Sequence, residues 1–445
     1  MTSPSINIKS YIDERPVSGY QWLVLVLCFF IVMLDGIDTA IMGFVAPTLM
    51  HEWQISRAAF GPVMSAAMFG LAVGALVAGP YADKIGRKRV LIGSVFLFGV
   101  FSIGCSFAQS PTQLMVLRFL TGLGLGAAMP NSTTLLSEYI PTRVRSLLVT
   151  IMFTGFNLGS GLSGFIASMI ITSHGWRGVL FVGGILPLIG VPLLIWLLPE
   201  SARFLVARRR PAEQVSKLLN RVCASTFGSD TTFTTTEPDT GRKAPVRVLF
   251  SDGYAFGTLM LWVTYFMGLL IIYLLTGWLP TLIKDAGYPI EKAASITAMF
   301  QIGGTVGAIL VGFAMDRMDR NAVIGIAYLL GGIFIFALGA GTLSSDWLPL
   351  LVTTAGFFMS GAQTGLNALA PTYYPTGARA TGVSWMLGIG RCGGIVGSLF
   401  GGVLLSMGFP FSVVFSILAV PAVLAAAAIV LNRFAVRFIR YEVNF

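Results

Sequence analysis

Two acidic residues stand inside an apolar run, Asp35 and Asp38 in Leu34-Asp-Gly-Ile-Asp-Thr-Ala-Ile-Met-Gly43-Phe44. On a helix that spacing puts both carboxylates on one face. A charge at the centre of a bilayer is costly, so such a pair must look into a cavity, meet a cation or hold protons. Two carboxylates this close cannot both stay ionised cheaply, so one of them can take up and release a proton. That is the chemistry of proton coupling. The other reading of the pair is a polar cluster that only packs helices together.

Two arginines share the problem. Arg391 lies mid-run in Gly388-Ile-Gly-Arg-Cys-Gly-Gly394, with glycines that leave its guanidinium room. The planar fork matches a carboxylate bidentately. It either grips a substrate carboxylate or pairs with Asp35 or Asp38, and alternation between the two would link proton to anion. Arg118 opens the face Arg118, Gly122, Gly126 and is expected nearer the outer surface. There it pairs with an acid of the first span, guards a vestibule, or snorkels at the rim.

Flat rings accompany these groups. Phe153 and Phe156 precede Asn157; Trp262, Tyr265 and Phe266 cluster in one later run, and Trp385 stands six residues before Arg391. Rings beside a guanidinium would suit an aromatic carboxylate, although with Phe 33 in the chain most aromatic stripes face lipid or neighbouring helices. Gln301, Gln363 and Asn367, with Asn131, can bond a substrate hydroxyl or another helix. Tyr273, Trp278 and Trp22 read as interfacial anchors near span ends.

The elements that must hold these residues are legible from hydropathy. Of 445 residues, 55% are hydrophobic and 11% charged, against about 25% charged in a soluble domain. Apolar runs fall at 22–46, 57–80, 90–109, 112–134, 147–170, 178–198, 253–279, 292–314, 322–342, 348–370, 382–406 and 410–431. Each is long enough to span a bilayer as a helix; a membrane barrel would show short alternating segments instead. The expected fold is an all-α polytopic membrane protein with 12 transmembrane helices in two pseudo-symmetric six-helix halves. Its parts are a cytoplasmic segment 1–21, bundles 22–198 and 253–431, a linker 199–252 with an amphipathic helix near 211–223, and a tail 432–445.

Charge supplies the orientation. The segments outside the first and last spans and after each even-numbered span hold 23 of the 29 Lys and Arg, the opposite loops four. Both termini and the linker are therefore expected in the cytoplasm. That asymmetry explains the net charge of +10 without nucleic acid. The halves also repeat: Gly79…Asp83-Lys84-Ile-Gly86-Arg87-Lys88 returns as Gly312…Asp316-Arg317…Arg320 after 233 residues, and Pro141-Thr-Arg143-Val-Arg145 as Pro375-Thr-Gly-Ala-Arg379 after 234. At the second offset Asn157 is the counterpart of Arg391. Asp83, Arg87, Lys88, Glu138, Arg143, Arg145, Asp316, Arg317, Arg320 and Arg379 are expected to form a cytoplasmic gate whose ion pairs make and break. As bare charges they could serve orientation alone.

Other chemistries find no support. His51 and His174 are too few for a metal site, and the four cysteines have no ligand or redox spacing. The glycine-rich pieces lie within spans, not at a strand-to-helix turn, so no nucleotide loop is indicated. No cofactor, no metal and no enzymatic role is expected.

With these motifs in view, the chain resembles the major facilitator superfamily. Gly79 to Lys88 carries the loop signature in full, and Gly312 to Arg320 the weaker second copy, with Asp319 where glycine is usual. It is similar to the aromatic acid:proton symporters, above all the 4-hydroxybenzoate and protocatechuate branch. Leu34 to Phe44, Arg118-Phe-Leu-Thr-Gly-Leu-Gly-Leu-Gly126, Pro199-Glu-Ser-Ala-Arg-Phe-Leu205 and Ala380-Thr-Gly-Val-Ser-Trp-Met-Leu-Gly-Ile-Gly-Arg391 carry that likeness, which runs from about Tyr20 to the last span. It implies inward symport of an aromatic carboxylate with protons across a bacterial inner membrane, by a protein working as a monomer. Benzoate, vanillate, gentisate or muconate remain alternative substrates. It also implies roles for Asp35, Asp38, Asp83, Arg87, Arg118, Glu138 and Arg391. Gly155 to Gly164 lacks the antiporter proline, which favours symport over the alternative of proton-exchange export.

Overall fold

The structure, a computed structural model, describes residues 5–208, 210–223, 232–234, 246–250, 254–339, 347–374, 379–409 and 411–442. The expectations placed on Asp83 and Arg379 concern side chains outside the described residues. A strand β1 (Ser5–Asn7) and helix α1 (Ile8–Asp13) precede α2 (Gly19–Trp53), α3 (Arg57–Ile85), α4 (Arg87–Ser106), α5 (Pro111–Tyr139) and α6 (Thr142–Leu197). Then come α7 (Ala202–Ala207), α8 (Ala212–Cys223), β2 (Thr232–Thr234) and a 3-10 turn (Val246–Phe250). The chain continues with α9 (Tyr254–Asp285), α10 (Ile290–Arg317), α11 (Arg320–Gly339), α12 (Leu348–Tyr373), α13 (Arg379–Ser406) and α14 (Phe411–Glu442).

Caps, not the edges of apolar runs, set where the long helices begin. Ser18 and Gln21 form a reciprocal capping box at α2, Ser56 accepts the Ala59 N–H at α3, and Ser110 with Pro111 opens α5. The starts at Gly19, Arg57 and Pro111 lie within three residues of the expected ones, and the helices overrun the expected spans at their far ends, where α2 reaches Trp53, α3 Ile85 and α5 Tyr139. Among the described residues ten helices are long and apolar enough to cross a membrane. α6 covers both runs read at 147–170 and 178–198 and bends at Gly175, where φ is +63°. α12 is not among the ten, since Thr353, Thr354, Ser360, Gln363 and Asn367 dilute its apolar character. Large apolar side chains such as Leu76, Met169 and Trp196 stand exposed around the bundle, as contact with lipid requires.

In the first group α2 packs on α6, α3 on α5, and α4 on both α5 and α6. In the second, α9 packs on α13, α10 on α12, and α11 on both α12 and α14. The groups meet through α2 with α9, α3 with α13 and α6 with α10. These seams close at the end away from the termini. A Cβ at Gly43, far along α2, would collide with the Thr276 carbonyl of α9, so only glycine permits that approach. Beside it Arg57, at the start of α3, pairs with Asp285, at the end of α9, at 2.6 Å.

One feature carried no sequence signal. β1 pairs with β2 in parallel, Ser5 opposite Thr232, and Ile8 and Ile12 of α1 bury against Ala202, Val215 and Leu219. Three-residue strands and a six-residue helix are too short to show periodicity. Asp13 fastens this module to the start of α6, accepting from the Thr142 N–H (2.7 Å) and hydroxyl. Burial pushes the Asp13 carboxyl up, but the Thr142 hydrogen bonds and the charges of Arg145 and Lys9 outweigh it and hold it below its usual range.

Candidate functional site

The two acids of α2 face different partners. Asp38, fully buried, accepts from Arg118 Nη1 at 3.0 Å, while Arg118 Nη2 donates to the Asp38 carbonyl at 3.2 Å. Arg118 is 1% exposed, which rules out a rim-snorkelling role: its helix carries it across the bundle to the acid, not out to the headgroups. The pair neutralises itself in the interior. Asp35, one turn earlier, is buried too, but its hydrogen bond comes from a hydroxyl, Thr39 Oγ1 at 3.2 Å. The charges acting on it are Asp38 and, from the other group, Arg391.

Arg391 projects from α13 between Gly390 and Gly394, against which the rings of Tyr265 and Tyr273 lie; a Cβ at Gly390 would enter the Tyr265 ring. Its guanidinium makes no hydrogen bond or ion pair among the described residues. Tyr265 has Gln363, Asn367 and Arg391 around it, and Tyr273 has Asp35, Tyr265 and Arg391. Reading Tyr273 as an interfacial anchor is therefore a mistake, and so is Trp278. Trp278 is fully buried, donates to the Ser398 carbonyl at 2.9 Å and meets Phe60 edge-on. The cause is length: α9 runs on to Asp285, which places both rings deeper than the end of the apolar run suggests.

Unsatisfied amides surround the tyrosines. Among the described residues Gln363 accepts from Tyr328 at 2.6 Å while its Nε2 has no hydrogen-bond partner, and Gln301 donates to Thr276 at 2.9 Å while its Oε1 has none. Asn367 Oδ1 and Trp262 Nε1 are also buried without partners among the described residues. Trp262 stacks on Trp385 with centroids 5.8 Å apart, and Trp385 is half exposed. Phe266, partly buried, turns its carbonyl toward Gly393. Across the seam Phe153 and Phe156 pack in the core of the first group with half-buried Asn157 beside them. Asn131 spends its amide on the Ala127 carbonyl.

At the termini end the first group's charges form a local network. Arg87 pairs with Glu138 at 3.1 Å, and Glu138 also accepts from Ser201. Lys88 donates its Nζ to the Ile195 carbonyl at 2.7 Å and its backbone N–H to Glu200. Arg143 and Arg145 donate to the carbonyls of Arg15 and Ile140. In the second group Asp316, Arg317 and Arg320 are exposed, and Arg317 lies over Phe313. The pair found there is Asp319 with Arg433 at 3.3 Å, and Asp319 also caps the Ala322 N–H. The residue that replaces the usual glycine thus does the fastening. Sequence reasoning had no expectation for it, nor for Tyr328 or Arg57 with Asp285, and it put Tyr273 at the membrane interface.

The Major Facilitator Superfamily profile matches residues 28–329 and 291–438. The chain belongs to that superfamily. Within it the chain falls among the aromatic acid:proton symporters. It is 61% identical over 427 residues to the gallate transporter of Pseudomonas putida, covering 96% of this chain and 95% of that one. It is 51% identical to the 4-hydroxybenzoate transporter PcaK of the same species, covering 96% of each. Among solved structures, a D-xylose-proton symporter superposes with a TM-score of 0.71 at 18% identity, covering 92% of this chain and 97% of that one. The inward-open xylose transporter XylE of Escherichia coli gives 0.69 at 18%, covering 92% and 95%. At such identities the likeness is one of fold: this is a polytopic, helical major facilitator protein.

Proposed function

We propose that the chain is a transporter, not an enzyme, that imports a hydroxylated aromatic carboxylate together with protons across a bacterial inner membrane by alternating access. 4-Hydroxybenzoate and protocatechuate are the substrates that best fit the reading, and the identity with a gallate transporter favours gallate, with one more ring hydroxyl, as a second. The observation that carries it is Arg391, a guanidinium without a protein acceptor among the described residues, whose charge reaches Asp35 of the other group and whose flanking Gly390 and Gly394 lie against the rings of Tyr265 and Tyr273. It takes the substrate carboxylate. The ring lies along Tyr265 and Tyr273, and Gln363 Nε2 or Gln301 Oε1 meets a ring hydroxyl. Asp35 carries the proton, since Asp38 is committed to Arg118.

The twelve spans form two six-helix halves related by the repeat, with both termini cytoplasmic. Contact between the halves at the far end then corresponds to a state closed to the outside. Glu138 with Arg87, and Asp319 with Arg433, are already paired within their own groups in this state, at the cytoplasmic end where the gate closes when the cycle turns. The decisive experiment is competition by substituted benzoates and gallate against labelled 4-hydroxybenzoate uptake, with and without a pH gradient. Arg391→Lys keeps the charge and loses the fork, so KM should rise about tenfold or more, a loss of the order of one charge-assisted hydrogen bond. An unchanged KM removes Arg391 from the site.

A further inference from the structure

At the end of the seam away from the termini lies a cavity of about 580 Å³, whose lining does not include the Arg391 cluster. Small-molecule sites usually measure about 300–1,000 Å³. Its polar lining includes His51, Arg57, Thr281, Lys284 and Asp285, and Pro47, Met50 and Leu405 give it apolar walls. Two cations face one acid, so the cavity carries an excess of positive charge. Arg57 is held by Asp285 at 2.6 Å. Lys284 lies in the field of Asp285 but makes no hydrogen bond or ion pair among the described residues. Thr281, 2% exposed, lines the cavity, and its hydroxyl has no partner among the described residues. A free ammonium, an orphaned hydroxyl and apolar walls converge on one space, which belongs to both groups of helices.

We propose that this cavity is an entry site for a small aromatic carboxylate, distinct from the site at Arg391. The carboxylate docks on Lys284 and the Thr281 hydroxyl, competing with Asp285 for Arg57, and the ring rests on Pro47, Met50 and Leu405. The inference rests on the import of aromatic carboxylates proposed above and adds where the anion first binds. Because the site opens at one end of the seam only, it acts on substrate arriving from that side. Its charge raises the local anion concentration without taking part in the transfer itself.

The test uses the full-length protein in right-side-out and inside-out membrane vesicles, with labelled 4-hydroxybenzoate as the probe. Lys284→Gln should raise KM from the outer face by about 3- to 10-fold with kcat retained. KM from the inner face should stay at the wild-type value, and Lys284→Arg should restore the outer KM. Since the effect is electrostatic and the site is open, raising salt to about 1 M should erase the difference between Lys284→Gln and wild type. An outer KM unchanged in Lys284→Gln, or an equal rise on both faces, overturns the entry site while leaving substrate import standing. Wild-type vesicles that take up none of the aromatic acids would overturn both.

Discussion

Asp35 and Asp38 differ by what touches them, and that difference can be measured. Asp38→Asn leaves the Arg118 guanidinium buried without its counter-charge. Breaking a buried pair in that way costs about 3–5 kcal/mol, so the purified variant should melt well below wild type. Asp38→Asn combined with Arg118→Met removes both charges and should regain most of the lost Tm; no recovery would mean that the pair does not set stability. Asp35 holds no such partner. Asp35→Asn should melt like wild type and still exchange labelled for unlabelled substrate. It should lose accumulation driven by a pH gradient, and wild-type accumulation would take the proton away from Asp35.

Helices meet in this bundle where side chains are absent. α2 approaches α9 at Gly43, and α13 accepts the Tyr265 ring at Gly390. Gly43→Leu inserts a branched side chain against the Thr276 carbonyl and wedges the far end of the seam. That end should then stay open to the outside: a cysteine introduced at Met64, which lies against Gly277, should become more reactive to a membrane-impermeant thiol reagent, and transport should fall at least tenfold. Unchanged labelling would show that the end can close without this contact. The serine caps at Ser18, Ser56 and Ser110 fix where α2, α3 and α5 begin, while the far ends of these helices run past the apolar stretches to Trp53, Ile85 and Tyr139.

At the scale of the whole molecule the direction of proton movement separates import from exchange. Symport brings protons in with the anion, so substrate added outside vesicles should acidify the lumen as it enters. The signal should scale with uptake and vanish in Asp35→Asn. Alkalinisation of the lumen on uptake would reverse the coupling and make the protein an exchanger. Closure at the end away from the termini, where α2 meets α9 at Gly43 and Arg57 pairs with Asp285, is a geometry such a cycle passes through.

The amino-acid sequence alone determined that the chain is a helical membrane protein, where its apolar runs lie, and which ionisable residues stand inside them. Those follow from hydropathy and charge, which a bilayer reads residue by residue. It also carried the likeness to aromatic acid symporters in motifs such as Leu34 to Phe44. Only the tertiary structure decided how these residues pair. Spacing placed Asp35 and Asp38 on one face, yet which of them meets Arg118 depends on how α5 crosses α2, and which stays near Arg391 depends on how α13 docks beside α9. Tyr273 and Trp278 looked interfacial because an apolar run ends soon after them, but the helix continues, burying Trp278 and setting half-buried Tyr273 against Gly394. The link of Arg57 to Asp285 joins residues far apart in sequence. Composition and periodicity are local properties, whereas an ion pair between two helices depends on the path of all the chain between them.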